Sequence, residues 1–459
     1  MLTYEDLEKC GDDENQIRDF IYGMIDQQNQ SPRFQEGLIA GEFFRSGDPE
    51  MQQFEHIVYD TLGVPRKDVF KANHKITANL YNIFITQEVS HLLGNGVTFK
   101  NEAIKKKLGN KFDYQLQKLV AWGANDSESY AYLTNDGIEV FNVACDDEEA
   151  HFIPIFSLTN RKTPRAGIKH WRASEFSPLN VILYRAGGYT VWQEIDGKLQ
   201  IVQPNTPYEV TYKSNDVGEK WDIQANQSGD LPIVPFFYIN HKSAIHNHRD
   251  ALHSFNLTIS GLSNNTNQIN LMYWVLKNTD GMDDLDYEDF IANLYKSRIL
   301  PLRDGVEAEP HEITADYEGH IATLAQMRAR LFEDFKAVDV VNIQGSNKTT
   351  VEIKAAYENL NRKCDELEIQ VGEFISQVLK FYGFDEDEEF SFTRPQEINV
   401  TEYMTMLNSS SGTILTEEDA MKQAYSALGM IDQYEEAARK KSADELRRMT
   451  ISTKDTDNE

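Results

Sequence analysis

A short polar loop, NIQGSNKTT at residues 342–350, combines residue types that bind phosphate. A nucleotide-binding P-loop requires G-x-x-x-x-G-K-[ST], because its glycines let consecutive backbone N–H groups surround the phosphates. Here Gly345 is the loop's single glycine, three residues before Lys348. The loop therefore offers a lysine side chain without the backbone nest. An exposed loop in which Thr349 or Thr350 caps the next helix is the simpler interpretation.

Four histidines cluster in HKSAIHNHRDALH, at positions 241, 246, 248 and 253. A metal site would need histidine pairs at i,i+4 on one helical face, or a carboxylate at a fixed offset. His246 and His248 are two residues apart and would point away from each other on a helix. We therefore predict surface or interface histidines and no metal site. The alternative is that they make assembly sensitive to pH.

No catalytic constellation stands out among the 74 Asp and Glu residues. Neither H-E-x-x-H nor G-x-S-x-G occurs, and the acidic run at 385–389 lacks the glycine and the terminal glutamate of a calcium loop. We predict that the chain is not an enzyme, that it has no catalytic residues and that it needs no cofactor.

The charge balance limits the partners of the chain. Its 459 residues carry a net charge of -29, whereas proteins that bind DNA tightly by neutralising phosphates are basic. The chain therefore either does not meet nucleic acid or meets it without holding it tightly. Three cysteines without a C-x-x-C motif fit a reducing compartment. The N-terminus shows no secretory signal, and the apolar run at 271–276 is too short to span a membrane.

The elements that must position these residues follow from periodicity. Residues 1 to about 120 have mostly helical patterns, and residues 128–240 alternate short β-rich runs with Asn, Asp and Gly turns. Two long helices, 243–268 and 315–338, flank a small α/β insert at 269–313. A third helix carries a heptad-like apolar seam from 353 to 381. That seam could pair in a dimeric coiled coil, pack between subunits of a closed ring, or pack on the chain's own β region.

The order of these elements resembles the portal proteins of tailed double-stranded DNA phages, in the group from long-tailed phages of Gram-positive bacteria. KANHKITANLYNIFITQEVSHLLGNGVTF resembles the family's N-terminal helix and its glycine-containing turn. LPIVPFFYINHKSAIHNHRDALHSFNLTISGLSNNTNQIN resembles its proline-flanked strand and first stem helix, and NKTTVEIKAAYENLNRKCDELE its long helix. The resemblance covers roughly residues 35–450. One departure is a stretch rich in asparagine where acidic residues are common in the family.

The resemblance implies a helix-rich α+β subunit with an α/β wing, a two-helix stem, a small α/β clip, a long wing helix and a helical C-terminal crown. The expected boundaries are an N-terminal arm at 1–24, the wing at 25–242, stem helices at 243–268 and 314–338 with the clip at 269–313 between them, a tunnel loop at 339–350, the long wing helix at 351–383, the crown at 384–450 and a loose tail at 451–459.

The resemblance also implies the function of a portal. Twelve subunits would form a ring at one capsid vertex, through which DNA is packaged and ejected. The expected partners are double-stranded DNA, the terminase large subunit, a head-completion or connector protein, the scaffolding protein and the major capsid protein, but no membrane. The protein would lie in the virion, and in the host cytoplasm during assembly.

Candidate site residues form three groups. The DNA-facing tunnel loop would comprise Gln344, Gly345, Ser346, Asn347, Lys348 and Thr349. The stem would pack through Leu252, Phe255, Ile259, Leu262, Ile321, Leu324, Leu331 and Phe335. The clip would dock partners through Tyr287, Phe290, Tyr295 and Arg298.

Two hypotheses from other classes stay open. An acidic helical interaction scaffold would form a dimer or small oligomer without a DNA channel. A nucleotide-dependent enzyme that uses residues 345–350 would bind nucleotide and lose activity in Lys348→Ala.

Overall fold

The computed structural model describes residues 2–59, 63–67, 72–134, 137–144, 150–174, 176–208, 210–214, 221–225, 231–267, 272–277, 307–312, 317–343, 350–385, 388–394 and 416–427, with the single residues 407, 409 and 434. These residues form a mixed helix and sheet structure, so the predicted helix-rich α+β class is confirmed.

An outer layer pairs two N-terminal helices with a five-stranded antiparallel sheet. Helices α1 (Tyr4–Lys9) and α2 (Glu14–Asn29) lie on strands in the order β10-β9-β8-β7-β6. The strands are β6 (His151–Ile155), β7 (Ala166–Trp171), β8 (Asn180–Arg185), β9 (Gly188–Ile195) and β10 (Lys198–Thr206). Asp13 caps α2 by accepting from the Asn15 N–H at 2.9 Å. The expected N-terminal arm at 1–24 therefore does not end at an element boundary, because residue 24 lies within α2, which covers the sheet.

The main core lies between a second sheet and several helices. That sheet has the order β13-β4-β5 and consists of β4 (Glu128–Thr134), β5 (Gly137–Asn142) and β13 (Ile233–Phe237). The helices packed around it include α3 (Pro32–Arg45), α5 (Leu80–Leu93) and α7 (Phe112–Asp126), and shorter helices are α4 (Pro49–Gln53) and α6 (Glu102–Leu108). Mostly helical residues before 127 and mostly β residues from 128 to 237 agree with the sequence patterns.

Four two-stranded antiparallel pairs complete the sheet structure. They are β1 (Ile57–Tyr59) with β2 (Pro65–Lys67), β3 (Val97–Phe99) with β16 (Phe390–Phe392), β11 (Val210–Ser214) with β12 (Trp221–Ala225), and β14 (Met272–Lys277) with β15 (Glu307–Glu312). A 3₁₀ turn covers Ile239–His241.

Two antiparallel helices form an arm, α8 (Arg249–Asn267) and α9 (Tyr317–Asp334). Both are shorter than expected. Residues 244–248 form turns in which Asn247 has φ 67°, so α8 begins at Arg249 and not at 243. Helix α9 ends before Lys336, which has φ 54°, and the Ala337 N–H closes the end by donating to Phe332 O at 2.8 Å. This left-handed helix end replaces the helix predicted to continue to 338.

The longest helix, α11 (Thr350–Phe381), follows the short helix α10 (Val340–Ile343). Its apolar seam is buried against the chain's own α5 and β13; the fully buried members are Leu360, Cys364, Leu367, Val371, Phe374 and Val378. The Phe374 ring, for example, meets Phe236 edge-on at 6.2 Å. The coiled-coil alternative is therefore wrong for this seam, because the chain itself occupies it. Helix α12 spans Glu417–Ala427.

Candidate functional site: the two-helix arm and the root of the 344–349 loop

An extended segment at residues 73–79, here named the strap, lies along α8. The helical pattern predicts a helix from residue 71, but α5 begins only at Leu80. Three strap N–H groups, two residues apart, donate to three α8 side chains, four residues apart. The bonds run from His74 to Asn264 Oδ1 (2.6 Å), from Ile76 to Ser260 Oγ (2.9 Å) and from Ala78 to Asn256 Oδ1 (2.9 Å).

The two spacings match because of backbone geometry. Two residues of extended chain advance about 6.6 Å, and four residues of α-helix advance about 6.0 Å. Ser260 also donates its hydroxyl to Ile76 O at 3.1 Å, so it satisfies both backbone groups of that residue. Asn256, Ser260 and Asn264 are only 1%, 3% and 3% exposed. Asn256, Ser260 and Asn264 thus form a row of buried hydrogen-bonding groups that fixes the strap to the arm.

A buried carboxylate fixes α4 to the same helix. Asp48 has 0% exposure and caps α4 by accepting from the Glu50 N–H at 3.0 Å. Its other oxygen pairs with His253 Nδ1 at 2.8 Å and accepts from Asn256 Nδ2 at 3.2 Å. Glu50 lies 3.6 Å from the second ring nitrogen of His253 and pairs with Arg249. Helix α4 and the strap, which precede and follow the intervening residues 54–72, are therefore both fixed to α8.

Burial of the arm decreases from its base outward. At the base, Leu252, Phe255, Leu331 and Phe335 are 5% exposed or less and belong to the chain's main core. Farther out, Ile259, Leu262 and Leu324 are half-buried, and Ile321 is 58% exposed. The eight predicted stem residues thus lie on one arm, but those at its base are already buried within a single subunit.

The root of the 344–349 loop is held by two double hydrogen bonds. The Gln87 side chain accepts from the Val338 N–H at 2.8 Å and donates to Val338 O at 3.0 Å. Arg328 on α9 binds both oxygens of Asp339 at 3.0 Å, and this pairing lowers the pKa of the Asp339 carboxyl. The chain is therefore fixed at residues 338 and 339, from which the short helix α10 leads to the 344–349 loop.

A buried ion pair lies behind this root. Glu88 is 1% exposed, and the Tyr238 hydroxyl donates to its two oxygens at 2.8 and 2.9 Å. Lys363 on α11 lies 2.7 Å from Glu88 Oε2 and also donates to Phe335 O, at 3.2 Å, just past the end of α9. Burial raises the pKa of the Tyr238 hydroxyl well above its usual value, and the negative charge of Glu88 raises it further. Burial raises the pKa of the adjacent Cys364 thiol to about 12, so it stays protonated and unreactive at neutral pH.

The clustered histidines have separate partners and do not converge. His246 pairs with Glu36 at 2.8 Å and His253 with Asp48, as above. His248 packs on the Phe335 ring at 4.8 Å and His241 on Phe237 at 4.5 Å, and burial lowers the pKa of both. Within the described ranges, no group of three or more His, Cys, Asp or Glu side chains is placed to hold a metal ion.

Two predicted groups lie outside the described residues. They are the tunnel-loop candidates Gln344, Gly345, Ser346, Asn347, Lys348 and Thr349, and the clip candidates Tyr287, Phe290, Tyr295 and Arg298. Their roles stay predictions, and the contacts at the loop's root define where it departs from the core.

Sequence reasoning missed the strap and the buried carboxylates. The spacing of Asn256, Ser260 and Asn264 by four was a usable signal, because it places three polar side chains on one helical face. No comparable signal marks Asp48 or Glu88 among so many acidic residues.

In the part of the chain that the structure describes, no helix is both long enough and apolar enough to cross a membrane.

Comparison with known proteins gives one family. Residues 41–439 match the family described as "Phage portal protein, SPP1 Gp6-like". The protein named "Portal protein" from Bacillus phage SPP1 is 22% identical over 437 residues, which cover 87% of this chain and 82% of that protein.

Two solved structures are also similar. "Neck of native GTA particle computed with C12 symmetry" has a TM-score of 0.39 at 13% identity, covering 75% of this chain and 89% of that one. "Neck of empty GTA particle computed with C6 symmetry" has a TM-score of 0.39 at 11% identity, covering 76% and 90%.

Proposed function

This chain belongs to the SPP1 Gp6-like family of phage portal proteins, and from that membership we propose that twelve copies form a ring at one vertex of the capsid. The ring encloses the channel through which double-stranded DNA is packaged and later ejected. The protein thus resides in the virion, after assembly in the host cytoplasm.

The observation that carries this proposal, beside the family, is the arm with its graded burial. A helix pair fixed at its base by Leu252, Phe255 and Leu331, yet bearing an exposed Ile321, supports lateral packing against further copies. An apolar side chain that is solvent-exposed in one subunit can be buried between neighbours in a closed ring. In this proposal α8 and α9 are the stem, and residues 344–349 leave its root toward the channel as the tunnel loop.

The charge of the chain suits a conduit that does not retain its cargo. Each phosphate neutralised by a basic residue adds salt-dependent affinity, so a channel rich in lysine would slow the passage of DNA. A subunit with a net charge of -29 repels the duplex. One lysine per subunit at position 348, repeated around the ring, gives weak contacts to DNA phosphates that do not depend on the base sequence.

The clip at 269–313 docks the terminase large subunit during packaging and a head-completion or connector protein afterwards. The strands β14 and β15 lie at the two ends of this segment and pair with each other, with β14 following α8 and β15 preceding α9 in the chain. The wing contacts the scaffolding and major capsid proteins. ATP hydrolysis belongs to the motor partner in this proposal, because the chain carries no complete Walker motif.

Negative-stain electron microscopy with mass by light scattering tests the ring. We expect rings with a central hole and a mass near twelve times 52.7 kDa. Absence of rings, both from purified protein and after co-expression with capsid and scaffolding proteins, would overturn the proposal. A stable dimer under both conditions would favour the scaffold hypothesis, and stoichiometric nucleotide binding would favour the enzyme.

A further inference from the structure

The hairpin formed by β1 and β2 exposes one apolar face. Its register pairs Ile57 with Lys67 and Tyr59 with Pro65, so these four residues lie on the same face. Ile57 is 59% exposed and Tyr59 71%, and Pro65 and Lys67 are exposed too. A two-stranded hairpin is marginally stable in water by itself, so this face needs a partner to pack against. We name Ile57, Tyr59 and Pro65 the hairpin face.

Both ends of the hairpin are held close to one side of α8. On the incoming side, α4 is fastened to α8 by the Asp48–His253 pair. On the outgoing side, Asn73 closes the hairpin's base by donating to Phe54 O at 3.1 Å, and the strap then runs along α8. The hairpin face thus projects from the arm itself, where neighbouring subunits of the proposed ring must meet.

Helix α9 packs on a different side of α8. Phe255, Thr258 and Ile259 face it, and Thr258 Oγ1 lies 3.9 Å from Met327 Sδ. At 100° per residue, this side lies roughly 150° around the helix from the strap-binding side at Asn256, Ser260 and Asn264. The hairpin root and α9 therefore lie on opposite flanks of one arm.

The outer face of α9 is also exposed among the residues that the structure describes. Ile321 is 58% exposed, and the alanines at 322, 325 and 329 are exposed next to it. Small side chains let another backbone approach closely. Two different apolar faces on opposite flanks of one arm match a head-to-tail contact, the kind that closes into a ring.

We propose that the hairpin face of one subunit packs against the outer face of α9, at Ile321, Ala322, Ala325 and Ala329, in the next copy of this chain. The proposal rests on the proposed ring and names the residues of its subunit contact. The proposed ring makes a second copy of this chain the occupant. Residues 55–75 carry four Lys or Arg and three Asp or Glu, a net charge of +1 in a chain of -29, so the hairpin avoids the repulsion that two acidic surfaces would meet.

Cross-linking within the assembled ring tests the contact. A chain carrying both Tyr59→Cys and Ala325→Cys, treated with a short bis-maleimide, should give a ladder of covalent oligomers that extends to the full ring. Either single variant should give no ladder above the background that wild-type cysteines set. The matched control is Tyr59→Cys with Tyr114→Cys, because Tyr114 is 67% exposed but lies on α7. Rings that give no ladder above this control would overturn the contact.

Charge placed on either face gives an independent test. Ile57→Asp should unfold at the wild-type temperature yet weaken ring assembly on the order of tenfold or more, because the contact would bury an unpaired charge. Ala325→Arg should do the same from the helical side, which does not depend on the hairpin's own folding. Tyr114→Asp is the control and should assemble normally.

The outcomes separate the contact from the ring. Wild-type rings together with normal assembly of Ile57→Asp and Ala325→Arg would overturn the contact and leave the ring proposal intact. Variants that assemble normally but package less DNA would identify the hairpin as a nucleic-acid contact and also overturn it. Failure of the wild-type chain to form rings under any condition would overturn the proposed function.

Discussion

At the scale of single residues, the chain buries charge where its segments must be held in one arrangement. Glu88 on α5, Lys363 on α11 and Tyr238 just after β13 converge within hydrogen-bonding distance. A buried ion pair adds little net stability over an apolar pair. Loss of one partner, however, leaves the other charge buried without a counter-charge, which is strongly destabilising. Lys363 also holds the carbonyl past the end of α9, so this pair couples the core to the arm.

Removal of Lys363 should therefore be costly. We expect Lys363→Ala to lower the free energy of unfolding by about 3–5 kcal/mol, because Glu88 would stay buried without its cation. Urea unfolding followed by circular dichroism measures this loss. Arg362→Ala is the matched control: the neighbouring Arg362 makes an exposed i,i+4 pair with Glu358, worth about 0–1 kcal/mol. Equal effects of the two substitutions would contradict the role of the buried pair.

At the scale of elements, α8 connects the two other parts of the arm region, α9 and the strap. One side packs on α9 through apolar contacts, and another binds the strap through side-chain hydrogen bonds. The strap cannot be helical while its N–H groups donate to α8, which explains why the helical pattern before Leu80 is overridden. Tertiary hydrogen bonds thus win over local propensity there.

The strap gives a prediction about α8. Ser260→Ala should lower the free energy of unfolding by about 1–3 kcal/mol, because the N–H and C=O of Ile76 would both lose the partner that the buried Ser260 hydroxyl supplies. Thermal or urea unfolding would measure it. Ser254→Ala, at an exposed position on the same helix, should change stability by about 0.5 kcal/mol or less. A loss below that value in Ser260→Ala would argue that water replaces the serine.

At the scale of the whole molecule, the proposed ring must be both acidic and self-associating. Subunits with a net charge of -29 repel one another, so contacts between them need apolar or locally basic surfaces. The hairpin face and the outer face of α9 are such surfaces. The same negative field keeps DNA from binding tightly, which leaves guidance of the duplex to a few loop residues.

A substitution at Lys348 tests whether the loop guides DNA through the channel. We expect Lys348→Ala to leave ring assembly intact and to reduce packaging or retention of DNA, because one phosphate contact per subunit is lost. DNA content per particle, compared with ring yield by microscopy, measures both effects. Lys354→Ala removes the same charge from an exposed position on α11 and should leave packaging unchanged. Rings that fail to assemble in Lys348→Ala would show that the loop has a structural role instead.

The periodic elements and the fold class could be predicted from the sequence alone. The seam of α11, the two arm helices and the β-rich region all arise from spacings of 3 and 4 or of 2, which are local properties of the chain. Helix ends were less predictable. The left-handed residue Asn247 lies before the late start of α8, and the left-handed residue Lys336 follows the early end of α9.

Only the tertiary structure decided which surfaces are already satisfied within one subunit. The sequence determined that α11 and the arm are amphipathic, but not that the seam of α11 and the base of the arm pack on their own chain while Ile321 stays exposed. The strap and the Glu88–Lys363 pair join residues far apart in the sequence, 275 positions for that pair. Such contacts have no periodic signature, because hydrogen bonds and ion pairs form wherever the folded chain brings their groups together.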